Sequence, residues 1–457
     1  MSELGVTDAV GKYLQTYKIN RILVGIIITV FLADMLEFYD FGLLSVVIPI
    51  WINVWKITGF DVGLLVSLVG VGGVIGAFGF PVLADRTGRR PIFVITVLLI
   101  AISTALISAV PHAGIAYVFI LRFLLGIGLG ALYSIDYTII QEFAPERHRG
   151  FISGLTAMLA PLGISLSSLS GYLVIPIFGW RGLFVLGVIP AILSLMGRLL
   201  MPESPRWLYS KGKIKESARA LAWLLRIHDS TEVNKIEEDL TTEYKRNPPK
   251  YLSLREQLSL LVANKRSFTF IVLGGFIIGF GYYFFVPYIP TFLVYNYKIS
   301  AVAAAGLYTL ISLITIIGIV VFSALVDIIG RKMTIGIVSL IPFIFIILTS
   351  AYFYTSYFLP FTLPTVFVAG AQFSATFVYA NDLYPTRSRA SASGMTYTSA
   401  RIGSIISPTI LGLLIGSPPN LYNLVPLFIA GGFLYLVYSI MAFAPFTPET
   451  KGKRLTA

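Results

Sequence analysis

Three carboxylates, Asp34, Glu37 and Asp40, stand three residues apart inside the first long apolar run, ADMLEFYDFGLLSVVIP. On a helix, residues three apart differ by about 60° of azimuth, so the three form one acidic stripe. A carboxylate in hydrocarbon costs roughly 2.5–3.5 kcal/mol on insertion scales and therefore faces a cavity or a partner. Desolvation and neighbouring like charge generally favour the neutral acid. At least one of the three is thus expected to take up and release protons, with Glu37 and Asp40 preferred; structural hydrogen bonding is the other use. Two arginines share these apolar depths. Arg122 opens RFLLGIGLG, in the outer half of its run. Arg401 follows Arg389 by about 18 Å of helix, near mid-membrane. A buried guanidinium needs an anion, either a substrate carboxylate held bidentately or a helix-one acid across the bundle. Asp136, about two turns from the end of its run, is expected to pair with loop arginines. Tyr282, Tyr283, Phe284, Tyr288, Gln372, Phe373, Tyr379 and Asn381 carry aromatic and amide groups able to line a solute cavity. Aromatics in membrane helices more often pack or anchor at the interface.

The elements positioning these groups follow from composition. The 457 residues are 56% hydrophobic and 12% charged, against roughly 45–50% and 25% in soluble domains. A bilayer is the solvent that tolerates such a chain. With a window of about 20 residues, spans are expected near 21–50, 60–83, 92–110, 115–141, 150–173 and 181–200. Six more are expected near 267–294, 301–326, 333–353, 357–380, 390–414 and 422–446. The first exceeds what a crossing needs, which implies tilt or an exposed end. The resulting fold class is an all-α integral membrane protein of twelve transmembrane helices in two pseudo-symmetric six-helix bundles. Residues 1–20 form a cytoplasmic segment without the features of a signal peptide. The bundles cover 21–201 and 267–446, the loop 202–266 carries amphipathic helices, and 447–457 is a cytoplasmic tail.

The net charge of +12 does not point to nucleic acid, because Lys and Arg crowd the short loops on one side. The positive-inside rule puts both termini and the central loop in the cytoplasm. The chain has no cysteine and three histidines, which leaves no thiolate chemistry and no metal site to expect. No nucleophile–base set or phosphate loop marks an enzyme.

Two motifs recur. ADRTGRRP at 84–91 returns as VDIIGRKM at 326–333, so Asp85, Gly88 and Arg89 map onto Asp327, Gly330 and Arg331. EFAPERHRGFISG at 142–154 returns as DLYPTRSRASASG at 382–394. The near-constant spacing argues for duplication of a six-helix unit, with a solute site between the halves near the midplane. Asp85, Arg89, Arg90, Glu142 and Arg149, with Asp327, Arg331, Asp382 and Arg389, are candidates for a cytoplasmic gate of ion pairs that parts when the halves rock.

GFPVLADRTGRRP, its copy, LRFLLGIGLG, PESPRWL (202–208) and PETKG (448–452) together resemble the major facilitator superfamily over nearly the whole chain. The resemblance implies that Arg122 pairs with a helix-one acid and that the pair responds to protonation. Helices seven and ten lack the sugar-porter stretches that line a hexose site, whereas EFYDFGLLSVVIP looks like metabolite–proton symporters. The expected function is alternating-access symport of a small organic acid with protons, driven by the proton gradient without a cofactor. Proton coupling would rest on Asp34, Glu37, Asp40 and Arg122, and substrate binding on Glu37, Asp40, Arg401, Tyr282, Tyr283, Tyr288, Gln372, Tyr379 and Asn381. The alternatives are a sugar or organic-ion carrier working by symport, antiport or uniport, and a non-transporting nutrient sensor. The implied partners are a small-molecule substrate, protons and the lipid bilayer, with the chain a monomer in the cell membrane.

Overall fold

The computed structural model describes residues 9–15, 20–111, 114–143, 146–246, 254–384, 389–415, 421–445 and 447–451. A short α1 (Ala9–Gln15) precedes α2 (Arg21–Trp55), α3 (Gly59–Thr87), α4 (Arg89–Ser108) and α5 (Ile115–Phe143). α6 (Glu146–Leu199) holds two crossings, because Gly179 takes φ 66° and ψ −174° and breaks the helix between the two expected spans. Four short helices follow: α7 (Pro205–Ser210), α8 (Ile214–Leu225), α9 (Ser230–Arg246) and α10 (Leu254–Ala263). α11 (Lys265–Phe285) continues through a 3-10 turn at Val286–Tyr288 into α12 (Ile289–Tyr297), where Pro287 and Pro290 interrupt the α-helical ladder. The rest are α13 (Ala301–Ile328), α14 (Arg331–Ala351), α15 (Phe358–Asp382), α16 (Arg389–Ile415) and α17 (Val425–Phe443).

Ten of these segments are long and apolar enough to cross a membrane. α6 supplies two crossings by its bend. α16, rich in Ser and Thr and so less apolar than its neighbours, packs along α3 and α11 as part of the bundle. Twelve crossings result. α2 is longer than about 30 Å of hydrocarbon requires, and it ends where Lys56 adopts a left-handed conformation. Phe78, Ile120, Ile177, Leu310 and Ile317 are each more than half exposed. In water such a belt would be costly, whereas lipid is its natural neighbour.

In the first half, α2 runs along α6, and α3 along α5. In the second, α11 runs along α16 and α14 along α17. The halves meet chiefly through α3 on α16 and α6 on α13. Gly63 and Gly412 let two of these backbones touch, since a Cβ on Gly63 would sit 2.4 Å from the Pro408 carbonyl oxygen. Ser67 Oγ lies 2.8 Å from Thr409 Oγ1, and Ser165 Oγ lies 2.8 Å from Ser312 Oγ, so polar contacts also cross the seam. Gly63, Gly412 and the contact of Gly171 with Ala305 all lie toward the end remote from the termini. Gly63→Ile is therefore expected to prevent closure at that end. Because the chain has no cysteine, a cysteine introduced in the cleft would report this without background. Labelling from the remote side should rise severalfold in the variant, and unchanged labelling would refute the close-approach role.

The recurring DxxGR turn has a physical cause. Gly88 and Gly330 take φ 114° and 102°, which reverses the chain between consecutive helices. A carboxylate from a distant segment then caps the next helix. Glu203 Oε2 accepts from the Arg90 amide at 2.9 Å. Glu449 accepts from the Arg331 and Lys332 amides at 3.0 and 3.1 Å. The PES and PET motifs are thus one device used twice, satisfying amides that a helix start leaves unpaired. Burial opposes ionisation of Glu449. Bonds from the Lys451, Arg331, Thr450 and Lys332 amides more than offset it and hold its carboxyl below the usual range. That cap is therefore complete above the unfolded carboxylate pKa and lost only as pH falls through the lowered value. Glu203→Ala and Glu449→Ala should each cost about 0.5–2 kcal/mol, read as a lower melting temperature of the purified protein. If both are silent, the caps do not hold these turns.

Of the short helices between the bundles, α7–α9 lie against the first half and the segment before it, whereas α10 packs on α11 and α16 of the second, where its Leu261 carbonyl accepts from the Tyr384 hydroxyl at 3.1 Å. Asn20 Nδ2 donates to the Leu224 carbonyl at 2.8 Å, Tyr13 donates to Asp239 at 2.7 Å, and Trp207 Nε1 donates to the Asp85 carbonyl at 3.1 Å.

Candidate functional site

α2 carries its acids along one face, and each finds a different partner. Asp40, 5% exposed, accepts both bonds of Arg122 Nη1, at 2.8 and 2.7 Å. Arg122 Nε also points at the Leu65 carbonyl, 3.5 Å away. This pair joins α2 to α5 inside the first half. Glu37, 8% exposed, pairs with Arg401 of α16 and so ties the two halves together at mid-membrane. Arg401 also donates to the Tyr397 hydroxyl, through Nε at 2.7 Å, and to the Tyr283 hydroxyl at 3.4 Å. The Tyr397 ring lies 4.8 Å below its guanidinium carbon. Tyr397 was not singled out from the sequence; its i−4 spacing from Arg401 was the available signal.

These groups surround a narrow cleft lined by Glu37, Asp40, Phe41, Arg122, Tyr283 and Arg401, among others. One wall is aromatic. Phe41 stacks on Tyr282 at 5.8 Å and meets Tyr283 edge-on at 5.1 Å, and Tyr282 meets Phe373 at 5.4 Å. A smaller neighbouring cavity is lined by Tyr282, Tyr308, Ser312 and Thr315, among others. The arrangement brings a fork-shaped cation, two carboxylates and flat apolar walls together in one cleft, a combination suited to a small solute.

Four of the expected substrate ligands lie elsewhere. Gln372 Nε2 is spent on the Val338 carbonyl at 2.7 Å, where α15 packs on α14. Tyr379 donates to the Pro448 carbonyl at 2.6 Å, near the end of α15 that also carries Asp382. Asn381 Oδ1 accepts from Ser393 at 2.7 Å. Tyr288 is wholly buried among aromatic side chains, stacked near Phe292, and does not line the cleft. Helical position alone did not reveal which face of α15 turns inward, and the polar tips of Gln372, Tyr379 and Asn381 went to backbone carbonyls or a serine hydroxyl, while the buried Tyr288 hydroxyl meets no partner among the described residues. Phe284 likewise packs on Phe428.

Asp136 is a further correction. Wholly buried, it meets no arginine within ion-pair distance among the described residues, which leave out the side chains of Arg147 and Arg149; among them neither of its oxygens receives a bond from an N–H or hydroxyl donor, and the carboxyl of Asp34 faces it. The cause is the depth of α5, which sets Asp136 inside the first half.

The gate candidates pair within each half. Arg89 contacts Asp85 at 2.5 Å and Glu142 at 3.4 Å; Arg331 contacts Asp327 at 3.2 Å and Asp382 at 3.1 Å. Arg90 donates to the Leu199 carbonyl. The side chains of Arg149 and Arg389 lie outside the described residues. Among the described residues no ion pair at that end crosses between the halves, while the remote end is packed.

Twelve crossings in two repeated bundles, with a polar cleft at their seam, define a carrier of the major facilitator type. The chain belongs to the "Sugar (and other) transporter" family, whose profile matches residues 26–457. It is 27% identical over 386 residues to the niacin transporter NiaP of Acinetobacter baylyi, covering 83% of this chain and 84% of that one. It is 29% identical over 383 residues to the arabinose-proton symporter of Bacillus subtilis, covering 80% of each. In structure it resembles the inward-open xylose transporter XylE of E. coli, with a TM-score of 0.73 at 20% identity over 94% of this chain and 98% of that one. That likeness shows the shared fold. The protein is a sugar or metabolite transporter and not an enzyme.

Proposed function

We propose that the protein imports a small carboxylate-bearing metabolite together with protons by alternating access. The observation that carries this reading is Arg401, a mid-membrane guanidinium held across the seam by Glu37 beside two tyrosine hydroxyls. With no solute bound, Glu37 neutralises Arg401. When Glu37 takes a proton its hold on the arginine falls away, and a substrate carboxylate replaces it as the bidentate partner. Proton and anion then enter as a neutral set, so neither leaves a buried charge uncompensated. Phe41, Tyr282 and Tyr283 enclose the apolar part of the solute. Asp40 and Arg122 form a second protonation-sensitive pair, whose opening frees α2 to move against α5.

The carrier works in the cell membrane as a monomer and needs no cofactor beyond the proton gradient. Its termini and α7–α10 face the cytoplasm, a reading supported by the side on which Lys and Arg collect. Packing at the remote end then corresponds to an inward-facing arrangement. Asp85, Arg89, Glu142, Asp327, Arg331 and Asp382 brace the helix ends on which each half rocks. The kinship with the niacin transporter suits a carboxylate with a flat ring. A second reading, proton-coupled sugar transport, is favoured by the hydroxyls of Tyr308, Ser312 and Thr315 in the adjacent cavity and by kinship with the arabinose-proton symporter.

The test uses the purified protein in liposomes loaded with a pH-sensitive dye, challenged in turn with nicotinate, benzoate, arabinose and glucose. Acidification on adding a carboxylate, absent with Arg401→Ala, supports the proposal. Acidification by the sugars alone selects the second reading, and solute entry without proton movement overturns coupling altogether.

A further inference from the structure

Below the central cleft, the first half buries ionisable groups that the exchange at Arg401 does not use. Asp136 is fully buried, and among the described residues no N–H or hydroxyl donates to either of its oxygens. The carboxyl of Asp34 faces it within hydrogen-bonding reach. Arg198, also fully buried, has no hydrogen-bond partner for its Nε, Nη1 or Nη2; its nearest anion is Glu203, 3.8 Å away, and Phe93 lies under it at 5.6 Å. Two carboxyls in contact with no other donor need a proton between them, since two bare carboxylates in a low-dielectric site repel.

The positions form a descent. Counting about 1.5 Å per residue from the start of α2, Asp40 lies roughly 28 Å along, Glu37 24 Å and Asp34 20 Å. Asp136 is about 10 Å from the end of α5 on the same side, and Arg198 and Glu203 stand at the mouth itself. Among the described residues, the charged groups facing the pair are Glu37 of α2 and Arg198 of α6, with Glu203, Arg90 and Glu142 of α5 beyond Arg198.

We infer that Asp34 and Asp136 form a further protonation site beside Glu37 and the Asp40–Arg122 pair, a carboxyl pair that holds one shared proton and hands protons from the central cleft to the cytoplasmic mouth. This rests on the coupling proposed above. At rest the pair carries one proton and one negative charge, balanced by Arg198. A proton leaving Glu37 breaks its O–H bond there and forms one on Asp34. The proton already shared leaves Asp136 for water at the mouth, and the pair ends with the charge it began with. Arg198 is a positioning residue in this scheme: its charge keeps the pair from retaining two protons.

The infrared stretch of protonated carboxyls tests this without a substrate. The wild-type carrier in vesicles should show such a band at neutral pH, lost in both Asp34→Asn and Asp136→Asn, kept in Glu37→Gln, and restored in Asp136→Glu. In the dye-loaded vesicles, Asp136→Asn should lower solute-driven proton entry at least about tenfold while counterflow of the same solute persists. A band indifferent to both aspartates, or proton entry and counterflow lost together in Asp136→Asn with the band unchanged, overturns the inference. Wild-type solute flux without protons, with the aspartate-dependent band intact, refutes the coupling at Arg401 and upholds the shared proton.

Discussion

Arg401→Ala should weaken solute binding about a hundredfold or more and leave Glu37 buried without a cation. Removing one member of a buried ion pair costs about 3–5 kcal/mol, and here the lost member is both the tie across the seam and the proposed anion anchor. Arg401→Lys keeps the charge but not the fork that spans Glu37, Tyr283 and Tyr397, so an intermediate loss of about tenfold is expected. Equilibrium binding of radiolabelled solute, with melting temperature measured alongside, separates two roles. If Arg401→Ala lowers the melting temperature but binds normally, the arginine is a clamp between halves and the carboxylate reading falls. Adding Glu37→Gln to Arg401→Ala should recover stability, because it removes the orphaned charge, but should not recover binding.

Asp40→Asn should separate exchange from accumulation. The substitution keeps the shape and leaves Arg122 an amide oxygen in place of a carboxylate that takes two bonds from it. A pair that can no longer be switched by a proton should pass solute in both directions yet fail to concentrate it. Uptake driven by an imposed pH gradient is expected to fall at least about tenfold. Counterflow should persist, with whatever pH dependence Glu37 alone gives it. Gradient-driven uptake at the wild-type level would show that Asp40 and Arg122 are a static brace.

Much of this architecture was legible in advance because it is written in local patterns. Apolar runs of membrane length mark crossings without knowledge of their neighbours, and the bend at Gly179 fell between two expected spans. The expectation that Arg401 meets either a substrate or a helix-one acid narrowed to Glu37. The pairing of Arg122 with a helix-one acid narrowed to Asp40. What could not be read were choices among faces. Gln372 and Tyr379 sit on a helix that borders the cleft, but their tips turn to the Val338 and Pro448 carbonyls. Nor did PESPRWL and PETKG disclose that their glutamates reach back about 110 residues to cap the turns at Gly88 and Gly330.

By itself the sequence determined a membrane protein of twelve crossings, built from a duplicated unit and carrying buried acids and arginines that must be paired. Hydrocarbon forces that much, because length, apolarity and the cost of a lone charge are local quantities. The tertiary structure alone decided the pairings. Three acids one turn apart on α2 went to three different places on two helices, Asp40 to Arg122 of α5, Glu37 across the seam to Arg401 of α16, and Asp34 to Asp136 further along α5. Which partner each met depended on how far apart two backbones lie and where glycines such as Gly63 let them touch, and those distances exist only once the bundles have packed.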